Sequence, residues 1–75
     1  MKPLTRREQQ VLELIAMGNT NKEIGLKLGI SEQTVKNHVN SIYRKLGVRN
    51  RAQAASTYTH PPLFRRLQRL LPQKP

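Results

Sequence analysis

The chain has 75 residues, with fourteen Lys and Arg against four Glu, no Asp and no Cys. That length allows one small domain burying roughly 60% of its unfolded surface, which excludes a large enclosed cavity, and the lack of Cys excludes a disulfide framework or a thiolate metal site. Up to Glu32 the charge balance is +1, whereas from Gln33 onward nine bases meet no acid, the asymmetric footprint of a protein that binds nucleic acid, although a membrane surface or an acidic protein would also be attracted. Aromatic residues are few (Tyr43, Tyr58, Phe64), so the core is expected to be aliphatic. Neither a signal peptide nor a long apolar run is seen, and the sequence predicts a soluble cytoplasmic protein.

In chain order, Thr5 and Glu8 form a T-x-x-E capping box that opens a helix expected to run to about Met17, with Gly18 as its stop. Val11, Leu12, Leu14, Ile15 and Ala16 supply its apolar side. Arg6 and Arg7 fall in its first turn, an unfavourable place for cations near the positive end of the helix dipole; they are either solvated or reach for phosphate. A second box, Thr20 and Glu23, opens a short helix with Ile24 and Leu28 on one face. Gly29 suits the left-handed residue that ends it, and Ile30 can tuck beneath the turn. Ser31 is then a good N-cap for a longer helix beginning at Glu32. A short helix, a tight turn containing Gly and a longer helix make the helix-turn-helix pattern.

The longer helix has two distinct faces. At about 100° per residue, Val35, Val39, Ile42 and Leu46 fall within an arc of about 60° and point to a core. Gln33, Asn37, Asn40 and Arg44 lie opposite, with Lys36 at the edge of that outward face. Amides and cations without acids can pair with base edges in a major groove, where carboxylates would be repelled by phosphate. His38 falls beside the core or near a DNA backbone, and Tyr43 at the core edge.

Gly47 stops this helix and Val48 offers one apolar contact. Asn50 to Gln53 reads as the start of a fourth helix, roughly Arg51 to Thr59, which Pro61 and Pro62 forbid from continuing. Its small residues Ala52, Ala54 and Ala55 permit close approach of another helix, from the same domain in preference to a second subunit. Residues 61–75 form a basic amphipathic tail, with Leu63, Phe64, Leu67, Leu70 and Leu71 on one side and Arg65, Arg66 and Arg69 on the other. So short a helix does not hold alone in water, so its apolar face needs a surface: its own domain or dimer, another protein such as a polymerase subunit, or a membrane surface.

Catalysis finds no constellation. A Ser-His-Asp triad has no Asp to draw on, Glu8 and Glu23 are taken by capping, and His38 and His60 stand apart with no Cys or Asp to complete a metal site. No cofactor and no metal are expected.

Residues 4–55, LTRREQQVLELIAMGNTNKEIGLKLGISEQTVKNHVNSIYRKLGVRNRAQAA, resemble the DNA-binding domain of the LuxR/FixJ family, also called GerE-like. The most specific pieces are NKEI at 21–24, LGIS at 28–31, TVKNHV at 34–39 and RKLGVRNR at 44–51. The resemblance implies an all-α fold, a compact four-helix domain (residues 1–60) containing the helix-turn-helix; the pattern of the tail (residues 61–75) adds the short amphipathic helix. The tail lies outside the resemblance; for residues 1–60 the resemblance implies a bacterial transcription regulator that binds double-stranded DNA at the nucleoid, with its third helix (about 32–46) in the major groove. By position, Lys36, Asn37 and Asn40 match base-contacting residues of the family. Asn21, Lys22, Thr34, Arg44, Lys45 and Arg49 match positions near the phosphates. Dimerisation through the last helix, onto an inverted repeat, would use Ala52, Ala55, Ser56 and Thr59. RNA polymerase is a candidate partner; a membrane is not expected.

Two positions depart from the family's pattern: Arg6 stands where Pro is frequent, and Gly25 where Ala is usual. Members commonly carry a receiver or ligand-binding domain ahead of this one, and these residues contain nothing that could be one. Region 4 of a sigma factor also pairs an LT-x-x-E helix with a helix-turn-helix, but TVKNHV followed by RKLGVRNR resembles the LuxR type. The alternative of a different class is a basic protein-interaction or membrane-surface module acting through the tail, which would show no preference among DNA sequences.

Overall fold

A computed structural model describes residues 3–59. Its elements are α1 (Arg6–Ala16), α2 (Asn21–Leu28), α3 (Glu32–Leu46) and α4 (Arg51–Thr59), with no strand among the described residues. The tail at 61–75, and with it His60 and the expected amphipathic helix, lies outside the described residues.

Local chemistry sets the boundaries. Both capping boxes close in each direction. Thr5 Oγ1 accepts from the Glu8 N–H at 3.1 Å while Glu8 Oε1 accepts from the Thr5 N–H at 2.8 Å. Thr20 and Glu23 repeat the exchange at 3.1 and 2.7 Å. Each pair satisfies backbone donors that a helix start leaves without partners. Ser31 caps α3 through the Thr34 N–H at 3.0 Å, and Asn50 caps α4 through the Gln53 N–H at 2.9 Å. Gly29 and Gly47 end α2 and α3 at φ of 70° and 69°, a conformation that costs a side-chain-bearing residue and not glycine. The expected end of α1 shifts by one residue: the helix stops at Ala16, Met17 is the C-cap, and Gly18 follows at φ 93°.

The core is aliphatic. Val11, Leu12 and Ile15 of α1, Ile24 of α2, Val35, Val39 and Ile42 of α3, and Ala54 of α4 are buried together. Leu28, Ile30, Tyr43, Leu46, Val48 and Ala55 pack around them, half-buried. Helix α1 lies behind α3 and also carries α4, while α2 packs on α3. Ala54 is 0% exposed, so one of the small residues of α4 serves the domain's own core. Gly25 makes the α2–α3 corner tight: a Cβ there would lie 2.7 Å from the Ile30 carbonyl oxygen.

Candidate nucleic-acid interface

Burying Val35, Val39 and Ile42 leaves the opposite side of α3 in solvent. Gln33, Lys36, Asn37, Asn40 and Arg44 are all exposed, and His38 is half-buried on the flank. Gln33 Nε2 donates to Asn37 Oδ1 at 3.2 Å, one turn on. No acid follows Glu32, so this face is uniformly polar or positive. Such a face can donate to base acceptors and attract phosphate.

The residues matched to phosphate positions fall into three groups. Lys22, Arg44 and Arg49 are exposed. Thr34 is half-buried, and its hydroxyl shares a 2.8 Å hydrogen bond with that of Ser31. Asn21 and Lys45 are tied to other parts of the domain. Arg51 Nη1 donates to Asn21 Oδ1 at 2.8 Å, while its Nη2 donates to the Asn19 carbonyl at 2.6 Å. Lys45 Nζ donates to Glu8 Oε1 at 2.7 Å. Arg6 and Arg7 are exposed at the start of α1.

Two groups of interactions join elements distant in the chain. In the first, Asn19 Nδ2 donates to the Leu14 carbonyl and its Oδ1 accepts from Lys27 Nζ, at 2.9 and 2.7 Å. Arg51 adds its bond to the Asn19 backbone, so the start of α4 is clamped to the α1–α2 connection. In the second, Glu8 is 5% exposed and accepts from Lys45 as well as from Ser41 Oγ, the latter at 2.5 Å on Oε2. Burial alone would raise the Glu8 pKa. The hydrogen bonds from Lys45, Ser41 and Thr5 outweigh that and lower it from 4.5 to about 2, because they favour the charged carboxylate. Sequence reasoning assigned no role to Arg51 or Asn19 and explained Glu8 by its cap alone. No local signal pointed to these partners, because Thr5 and Glu8 account for each other as a cap and Ser41 and Lys45 lie more than thirty residues from Glu8.

On α4, Ala52 and Ser56 are exposed and Ala55 is half-buried, with Thr59 as the helix's last residue. Among the described residues no His, Cys, Asp or Glu group could hold a metal ion, and no helix is long and apolar enough to cross a membrane.

Residues 2–58 match the family described as bacterial regulatory proteins, luxR family (GerE). The chain is similar to the spore germination protein GerE of Bacillus subtilis, at 52% identity over 68% of this chain and 69% of that one. It is also similar to the putative HTH-type transcriptional regulator YhjB of Escherichia coli, at 51% identity over 73% of this chain and 28% of that protein. A crystal structure of the response regulator ChrA, of a heme-sensing two-component system, superimposes with a TM-score of 0.73 at 39% identity, covering 95% of this chain and 32% of that one. The chain therefore spans most of GerE but only about a quarter to a third of the other two.

Proposed function

The chain belongs to the LuxR family of bacterial regulatory proteins and carries that family's helix-turn-helix DNA-binding domain, and we propose that it regulates transcription by reading an inverted repeat as a homodimer, with α3 of each copy in a major groove. The observation that carries this reading is the two-sided build of α3. Val35, Val39 and Ile42 are buried while Lys36, Asn37, Asn40 and Arg44 are exposed on a face without acid. A helix so presented fits the groove, and its amides and amine match the donor and acceptor pattern of base edges.

In this reading Lys36, Asn37 and Asn40 contact bases. Asn21, Lys22, Thr34, Arg44 and Arg49 hold the flanking phosphates; Lys22, Arg44 and Arg49 supply charge and Asn21 and Thr34 supply neutral donors. Lys45 stands outside this set because Glu8 already holds its ammonium. A second copy would pack through Ala52, Ala55, Ser56 and Thr59, setting two α3 helices one turn of DNA apart. Bound in this way at the bacterial nucleoid, the dimer would keep the surfaces away from α3 available to RNA polymerase.

The test is selection from random duplexes with the full chain, followed by titration of the winning and a scrambled duplex at several salt concentrations. An inverted repeat bound at least ~10³ more tightly than the scramble supports the reading. Equal, salt-sensitive binding to both duplexes would sink it.

A further inference from the structure

The chain places two kinds of cation on the last turns of α3. Arg44 is exposed on the outward face, whereas Lys45, one residue on, has its amine 2.7 Å from Glu8 of α1. Ser41 lies one turn before Lys45 and meets the other oxygen of the same carboxylate at 2.5 Å. At about 100° per residue these two side chains sit on one flank of α3, between the buried apolar stripe and the outward polar face.

We propose that Glu8, Ser41 and Lys45 form a strut that sets the rotation of α3 about its own axis, so that Lys45 is a positioning residue for base reading and not a phosphate contact. The proposal rests on the DNA-reading function given above. Apolar contact is non-directional, so Val35, Val39 and Ile42 hold α3 against the core without strictly fixing its rotation. Hydrogen bonds are directional and weaken steeply with misalignment. A flank pin made of two of them, one turn apart on one carboxylate, resists turning.

The geometry makes this matter for recognition. With side chains, a helix has a radius of about 5–6 Å, so a rotation of about 10° carries the outer ends of Asn37 and Asn40 about 1 Å sideways. A shift of that size spans the tolerance of a direct hydrogen bond. The same strut keeps one positive charge off the DNA. Lys45 is the half-buried cation of α3, neutralised by a carboxylate that stays ionised at every physiological pH. Generic attraction to phosphate is thereby reduced and orientation is gained.

The test compares salt slopes and discrimination for the full chain and its variants, with folding checked by circular dichroism. Lys22→Met, an exposed cation, should lower the slope of log affinity against log salt by about 0.9 for B-DNA. Lys45→Met should leave the slope unchanged yet reduce the selected-to-scrambled ratio by about ten-fold, roughly a single mismatch. Glu8→Gln retains an acceptor for the Thr5 cap but releases the Lys45 amine; its slope should steepen by about 0.9 while its discrimination falls. Lys45→Arg, which keeps the ion pair, should restore most of the discrimination. If Lys45→Met leaves Glu8 unpaired and the domain unfolds, the double variant Glu8→Gln/Lys45→Met removes both charges and should show the lost ratio at the native slope. A Lys45→Met protein, or that double variant, with a slope lowered by about 0.9 and native discrimination would overturn the strut and make Lys45 an ordinary phosphate contact. A native chain with no discrimination at all would instead overturn the functional reading.

Discussion

The physical cost of Glu8 lies in taking a carboxylate out of water, and its three donors are what make that tolerable. With its pKa lowered from 4.5 to about 2, this group favours folding whenever the unfolded chain would be ionised, that is above about pH 4.5. The contribution is lost as pH falls from 4.5 towards 2, because the unfolded state then binds a proton that the folded state refuses. At about 1.4 kcal/mol per pKa unit, the loss across that window is on the order of a few kcal/mol. Urea unfolding between pH 6 and 2.5 should therefore show native stability falling, and Glu8→Gln should flatten that slope while starting from a lower value at pH 6. Equal slopes for the two proteins would mean that Glu8 is not held as an ion. This pairing was not legible in the sequence. Thr5 and Glu8, three residues apart, fully account for each other as a cap, and nothing local shows that the carboxylate has capacity left for Ser41 and Lys45, more than thirty residues away.

Helix ends, by contrast, were written in short-range chemistry. Thr5, Thr20 and Ser31 satisfy donors within three residues of themselves, and Gly29 and Gly47 take left-handed conformations that other residues avoid. The apolar periodicity of α3 was equally direct, since Val35, Val39 and Ile42 are all buried. What spacing could not show was how closely the elements approach. Gly25 was readable as a small residue, yet the 2.7 Å from its notional Cβ to the Ile30 carbonyl depends on the corner between α2 and α3. Valine at position 25 would push its side chain against the Ile30 carbonyl, an overpacking that costs about 1–3 kcal/mol. Each kcal/mol corresponds to about 4–8 °C in the melting midpoint of a domain this small, so Gly25→Val should melt clearly lower. Gly25→Ala gains about 1 kcal/mol of helix propensity against the same carbonyl and should lie between the two. A thermal melt of Gly25→Val at or above the native midpoint would show that the corner opens freely. Because that corner sets the start of α3, the effect should reach DNA affinity as well.

At the scale of the whole molecule, the proposed dimer would give α4 two tasks that compete for the same short helix. Its buried Ala54 belongs to the domain core, and Arg51 clamps its start to Asn19 and Asn21. In the proposed dimer, the side with exposed Ala52 would face the other copy. In a two-fold interface a residue near the axis meets its own counterpart, so one substitution is felt twice. Small residues there allow two helices to approach closely, and a long neutral side chain forces them apart without altering the charge that DNA senses. Ala52→Gln should therefore weaken binding to a full inverted repeat by at least about ten-fold, comparable to losing one well-read base pair. Binding to a single half-site should be unchanged, because one copy of α3 and its phosphate contacts is intact. Gel-shift titrations on full-site and half-site duplexes separate the two effects. Equal weakening on both duplexes would place Ala52 in the fold or at the DNA and remove α4 from the dimer. If neither duplex is affected, the two copies meet elsewhere or bind independently. The Arg51 clamp gives the expected outcome a mechanical sense: a partner docked on α4 would be joined through Arg51 and Asn21 to the start of α2, which would link the spacing between copies to the seating of each helix-turn-helix.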